Sequence, residues 1–174
     1  MKPSITSKLF PVYLIGTKLF SSSERAFTLN DQKKLGEKRE GKIVYSPYEA
    51  LFLLERKNSK IIKNNKELSK ENFIGIFLKH DKDFYIKFLV YKKLREKGYI
   101  VKEGLKFGGE FRVYEKHKIQ HAKYICYPFS SPKLDTKELI SKVRIAHSAA
   151  KKLLLAIVDS EEDVLFYEID WIKI

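Results

Sequence analysis

The chain has 174 residues, 44% of them hydrophobic and 13% aromatic, which is too rich in core-forming side chains for a disordered segment and enough for one domain or two small ones. The 35 Lys and Arg against 22 Asp and Glu give a net charge of +13, so a polyanionic partner is expected. No run approaches the ~20 apolar residues of a spanning helix, the N-terminus lacks the pattern of a secretory leader, and Cys126 is the only cysteine; these exclude a membrane span, an internal disulfide and a Cys-based zinc cluster, and favour a reducing cytoplasm with nucleic acid as the partner.

Taken in chain order, the polar stretch Ser21 to Glu40, with SSSER followed by DQKKLGEKREGK, reads as a loop or loose hairpin. Ser46-Pro47-Tyr48-Glu49 then opens a helix: Ser can cap, Pro is tolerated at the first helical position, and Glu stands three residues after the cap. A second helix starts at Ser69 and carries Phe73, Ile76 and Phe77. The polar run Lys79-His80-Asp81-Lys82-Asp83 is the expected boundary, separating an N-terminal domain, residues 1–80, from a C-terminal domain, residues 81–174.

A third helix is expected from about Asp83 to Lys97, closing at Gly98. Short β-like runs follow: Tyr99 to Val101, Phe111 to Tyr114, and Ala122 to Tyr127 before Pro128. Asp135 caps a further helix in which Leu139, Val143, Ala146 and Ala150 recur at helical spacing, and the apolar run Leu153 to Val158 reads as a buried strand. The acidic turn Asp159 to Asp163 leads into a last strand, 164–174. The expected fold is α+β: a small mixed N-terminal domain, then a domain whose mixed sheet is flanked by helices.

Three blocks of the second half carry a resemblance. They are FLVYKKLREKGYIVKEGLKFGGEFRVYEK from Phe88, KIQHAKY around His121, and RIAHSAAKKLLLAIVD from Arg144. Together they resemble the catalytic domain of archaeal-type tRNA-intron (splicing) endonucleases over nearly all of residues 85–174, whereas the N-terminal half is similar mainly through SPYEALFLL. The resemblance implies a metal-independent RNA endonuclease without a cofactor. Its expected catalytic groups are Tyr114, His121 and Lys151, the first Lys of the Lys-Lys pair. Attack of a ribose 2′-OH on its own phosphate would cut precursor tRNA at bulge-helix-bulge intron borders, leaving a 2′,3′-cyclic phosphate and a 5′-OH.

The roles implied are Tyr114 as general base, His121 as the acid on the 5′-oxygen, and Lys151 as the cation facing the phosphorane. Each suits its side chain: His titrates near neutrality, and a phenol, with a pKa of about 10, needs cations beside it to serve as a base. The resemblance further implies that Arg144 and Trp171 grip an unpaired base by stacking. It also implies that Asp159, Glu161, Glu162 and Asp163 dock on another subunit, giving a homotetramer or a heterotetramer with a second endonuclease subunit.

Alone, each of these residues has a plainer reading: a strand tyrosine, a loop histidine, a solvated lysine at a helix end, a surface arginine, an anchoring tryptophan, a hydrated acidic turn. The joint placement of Tyr114, His121 and Lys151 in matched blocks sets those readings aside for these three, the resemblance alone favours the sharper readings of Arg144 and the acidic turn, and the anchoring role of Trp171 stays open. His147, one helical turn before Lys151, reads as a structural helix histidine, and His80 and His117 have no metal-ligand spacing. Gly104, Gly108 and Gly109 read as turn glycines, since no phosphate-loop order surrounds them. Two alternatives stay open: a non-catalytic RNA-binding subunit of the same assembly, and a metal-dependent nuclease using Glu110 and Glu115.

Overall fold

The segment after Ser46 becomes helix α2 (Pro47–Glu55) in the way its residues dictate. Glu49 N–H donates to Ser46 Oγ at 3.2 Å, and Ser46 N–H donates to the Glu49 carboxylate at 3.0 Å. The computed structural model describes residues 9–104, 109–116, 119–130 and 133–172. It divides into two compact units, one ending at Lys82 and the other beginning at Asp83.

In the first unit the strands are β1 (Phe10–Ile15), β2 (Lys18–Ser21), β3 (Glu37–Arg39), β4 (Lys42–Tyr45), β5 (Ser59–Lys63) and β6 (Lys66–Leu68). They form one sheet in the order β3-β4-β2-β1-β5-β6, and β1 and β5 run parallel. Besides α2, the unit has helices α1 (Glu24–Lys33) and α3 (Lys70–Leu78). Helix α1 replaces the loop expected between Ser21 and Glu40. Ser23 accepts the Ala26 N–H, Ala26 is fully buried, and the Asn30 side chain donates to the carbonyls of Leu35 and Gly36. The same buried Glu49 that boxes α2 also accepts the Gly36 N–H at 2.9 Å. Tertiary partners, not hydrophobic periodicity, thus settle this helix and the turn after it. Gly36 has φ +75°, and a Cβ there would lie 2.3 Å from Ile43.

The second unit holds α4 (Phe84–Glu96), β7 (Ile100–Glu103), β8 (Phe111–Tyr114), β9 (Tyr124–Phe129), α5 (Thr136–Ser148), β10 (Lys152–Val158) and β11 (Val164–Ile169). The sheet order is β11-β10-β9-β8-β7; β9 and β10 are parallel and the other pairs antiparallel. Helix α5 is the crossover that a parallel pair requires. Asp135 caps it by accepting the N–H groups of Lys137 and Glu138. Adjacent residues face opposite sides of a strand. Phe111 therefore meets Tyr91 of α4 on one face, ring centroids 5.9 Å apart, while Ile125 and Leu153 pack with Ala146, Leu139 and Val143 of α5 on the other.

Several expectations change in this unit. Strand β9 continues through Pro128, because β8 pairs with β9 only as far as Cys126 and no ladder is interrupted on that side. Ala150 leaves the helical stripe altogether, adopting φ +54° after the end of α5. The glycines do more than turn: a Cβ on Gly109 would lie 2.2 Å from the Ile125 side chain, and one on Gly104 would lie 2.9 Å from the Gly109 carbonyl. The last strand, expected over 164–174, ends at Ile169, where its ladder with β10 stops, and Gly108, His117 and residues 173–174 fall outside the described residues.

Candidate active site

Register places Tyr114 and Lys151 at one end of one sheet, the end from which the connection containing His121 leaves β8. Val113 of β8, Tyr124 of β9 and Lys152 of β10 form a continuous row, through the pairs Val113↔Tyr124 and Lys152↔Tyr124. Because β8 runs opposite to β9 and β10, the next position outward is Tyr114 on β8, Lys123 before β9 and Lys151 before β10. Lys123 N–H donates to Val113 O at 2.8 Å and Lys152 N–H to Lys123 O at 3.3 Å, which closes that end. Neighbouring strands lie about 4.8 Å apart, so the backbones at Tyr114 and Lys151 stand roughly 10 Å from each other. His121 belongs to the connection from β8 to β9 at this same end, and its side chain is exposed.

Lys151 is held by the way α5 stops. Ala150 N–H donates to His147 O at 2.8 Å and Lys151 N–H to Ala146 O at 2.9 Å, the paired bonds of a Schellman cap with Ala150 in the left-handed position. Helix α4 ends the same way, with Gly98 at φ +90° in the equivalent place and Tyr99 N–H donating to Leu94 O. The Lys151 ammonium donates to Ala149 O at 3.3 Å, at the carbonyl end of the helix, where a cation is favoured. Tyr114 shares its strand face with Arg112, the partner of Ile125, and so lies on the α5 side of the sheet.

Arg144 and His147 are exposed and one helical turn apart on α5. Trp171, just past β11, meets His147 with ring centroids 5.0 Å apart and an interplanar angle of 77°. Asp170 accepts the Trp171 N–H at 2.9 Å, and its carboxylate lies 4.0 Å from His147 Nδ1 and 3.9 Å from Lys152 Nζ. His147, read as a structural helix histidine, is therefore an exposed residue at the rim of this sheet end, and its spacing from Lys151 was the available signal. On the opposite face, the Tyr124 hydroxyl donates to Glu168 at 2.8 Å and Lys152 also pairs with Glu168. The Lys152 ammonium, then the Tyr124 hydroxyl, hold the Glu168 carboxyl below the usual carboxylate value, while burial and Glu168 push the Tyr124 phenol up. Sequence reasoning did not single out this group, because nothing in the chain pairs Tyr124 with Glu168 before β10 and β11 are laid beside β9.

The acidic run is the β10–β11 turn, at the far end of β10 from Lys151, roughly 25 Å away at the usual rise of a strand. Asp159 is occupied by the turn itself: its Oδ1 accepts from Glu161 N–H and Asp163 N–H, each at 2.9 Å. Glu162 accepts the Tyr85 hydroxyl at 3.3 Å, and Glu161 and Asp163 are exposed. Glu110 and Glu115 sit at opposite ends of β8, roughly 16 Å apart by strand rise, with lysine partners Lys87 at 3.2 Å and Lys123 at 2.8 Å. That separation cannot hold one ion between them. Among the described residues, no three His, Cys, Asp or Glu side chains gather as ion ligands.

Residues 84–166 match the family model for the tRNA intron endonuclease catalytic C-terminal domain, and residues 11–74 match that for the tRNA intron endonuclease N-terminal domain. Among curated proteins, the chain is 39% identical to a tRNA-splicing endonuclease of Pyrococcus abyssi over 168 residues, covering 95% of this chain and 98% of the relative. It is 38% identical over 149 residues to one of Methanothermobacter thermautotrophicus, covering 83% and 86%. With one of Nanoarchaeum equitans it shares 39% over 135 residues, covering 72% and 86%. Tyr114, His121, Arg144, Lys151 and the acidic turn lie inside the catalytic-domain match, and Trp171 lies beyond it.

Proposed function

The chain belongs to the tRNA intron endonuclease family, and from that membership we propose that its Tyr114, His121 and Lys151 cut precursor tRNA at bulge-helix-bulge intron borders by metal-independent transesterification. It is an RNA endonuclease of tRNA splicing. What supports the mechanism is the common sheet end: Tyr114 closes β8 and Lys151 precedes β10, two strand spacings apart across Lys123, and His121 belongs to the connection that leaves β8 at that end. Tyr114 takes the proton of the 2′-OH, whose oxygen attacks the adjacent phosphorus. Lys151 faces the charge that grows on the non-bridging oxygens, and His121 gives its proton to the departing 5′-oxygen. The products are a 2′,3′-cyclic phosphate and a 5′-OH. Arg144 and Trp171 hold an unpaired base beside the cut.

The active unit in this reading is a tetramer, of this chain alone or with a second endonuclease subunit. Strand β11 is the edge of its sheet and leaves Leu165 and Tyr167 half exposed, a surface that isolated chains ordinarily cover or blunt. Glu161 and Asp163 offer charge for a basic partner at the opposite end from the cut. No helix of the described residues is long and apolar enough to cross a membrane.

The test is cleavage of a bulge-helix-bulge RNA in excess EDTA, by the chain alone and with the second subunit added, with the ends identified. Cyclic phosphate and 5′-OH are expected. His121→Ala and Lys151→Ala should each lower kcat by roughly 10² or more, as does loss of a positioned proton donor or charge-stabilising group. Full activity in His121→Ala, or cleavage only with Mg²⁺, would sink the reading.

A further inference from the structure

Trp171 follows the end of β11, where the ladder with β10 has stopped at Leu153↔Ile169, so strand pairing does not hold it. Two contacts do. Its own N–H is tied to Asp170, and its ring meets His147 edge to face across from α5. An edge-to-face contact covers at most one face of either ring. Trp171 keeps about half its surface exposed, 51%, which leaves indole surface open beyond that contact. His147 reaches it from the last turn of α5, with Arg144 one turn before and the Lys151 cap directly after. The carboxylate of Asp170 completes the corner, placed between His147 Nδ1 at 4.0 Å and Lys152 Nζ at 3.9 Å.

We propose that His147 is a positioning residue for substrate recognition: it sets the angle of the Trp171 indole so that the open face meets an unpaired nucleobase beside Arg144. This rests on the reading of the sheet end as an RNA-cutting centre. His147 takes no part in proton transfer. Its imidazole is engaged with Trp171 and Asp170, and it comes from α5, whereas Tyr114 and His121 come from β8 and the connection after it. The aromatic edge is what the role needs, so a phenyl ring in its place should serve.

Trp171 is the only tryptophan, so the protein's indole fluorescence reports on this corner alone. In the free protein, His147→Ala should lower the fluorescence anisotropy of Trp171 and His147→Phe should restore it; unchanged anisotropy in His147→Ala overturns the proposal. With a bulge-helix-bulge RNA carrying a 2′-deoxy group at the cut, wild-type emission should be quenched, and the absence of quenching also overturns it. With cleavable RNA, His147→Ala should raise KM roughly tenfold, the order expected for one weakened base-stacking contact, with kcat within about twofold and recovery in His147→Phe. A fall in kcat at constant KM would instead make His147 part of the chemistry and overturn the positioning role. If the wild type quenches on binding but does not cut, the catalytic reading fails while the positioning of Trp171 stands.

Discussion

Ala150 occupies a backbone conformation that L-residues with a Cβ adopt at a cost of about 1 kcal/mol or more, in the place where α4 uses Gly98. Ala150→Gly is therefore expected to stabilise the protein by about 0.5 to 1 kcal/mol, less whatever the glycine adds to the freedom of the unfolded chain. Denaturant unfolding measures it, and a lower midpoint in the variant would contradict the account. Activity should hold, because the bond from Lys151 N–H to Ala146 O does not depend on the methyl group. At this scale the sequence was legible where a residue's job is local: Ser46 and Asp135 cap the helices they were expected to cap, and Ser69, where a helix was expected to start, is its cap. Ala150 was misread because helical spacing alone cannot tell the last turn of a helix from its cap. Asp159 showed only as a charge, since its acceptance of two turn N–H groups depends on the turn having closed.

Between elements, β9, β10 and β11 are laced on one face by Tyr124, Lys152 and Glu168. The Glu168 carboxyl titrates below its ordinary value of 4.5 in the folded protein. Its contribution to stability is thus fully present above that pH and is lost as pH falls through the lower folded value. Glu168→Gln should unfold more easily than the wild type near neutrality, and the difference should shrink as pH drops below about 4.5. Equilibrium unfolding at a series of acid pH values would show it, and a gap that widens in acid would refute it. The strands and helices of the second unit were legible because their apolar residues repeat with clear periods. Helix α1 was not: of its ten residues, Glu24 to Lys33, only Ala26 is buried, and its placement relies on Ser23, Asn30 and the distant Glu49.

For the whole molecule, the exposed apolar edge at β11 bears on assembly. In the proposed assembly a Leu165→Lys, Tyr167→Lys double variant should have a smaller mass by light scattering than the unaltered protein, because lysine on an edge strand opposes pairing with another chain. An unchanged mass would place the subunit contact elsewhere. The common sheet end was foreseeable as three matched blocks of sequence, but the adjacency itself was not, since it arises from one antiparallel and one parallel strand pairing. The parallel pair also sets an order of events. On a ribosome, Tyr114 and His121 emerge well before the crossover and β10 deliver Lys151. A nascent chain would thus carry the two groups proposed for proton transfer without the cation proposed to work beside them. In the proposed mechanism cutting would begin only when the late strand slots in, which would spare the messenger and ribosomal RNA surrounding a half-made chain.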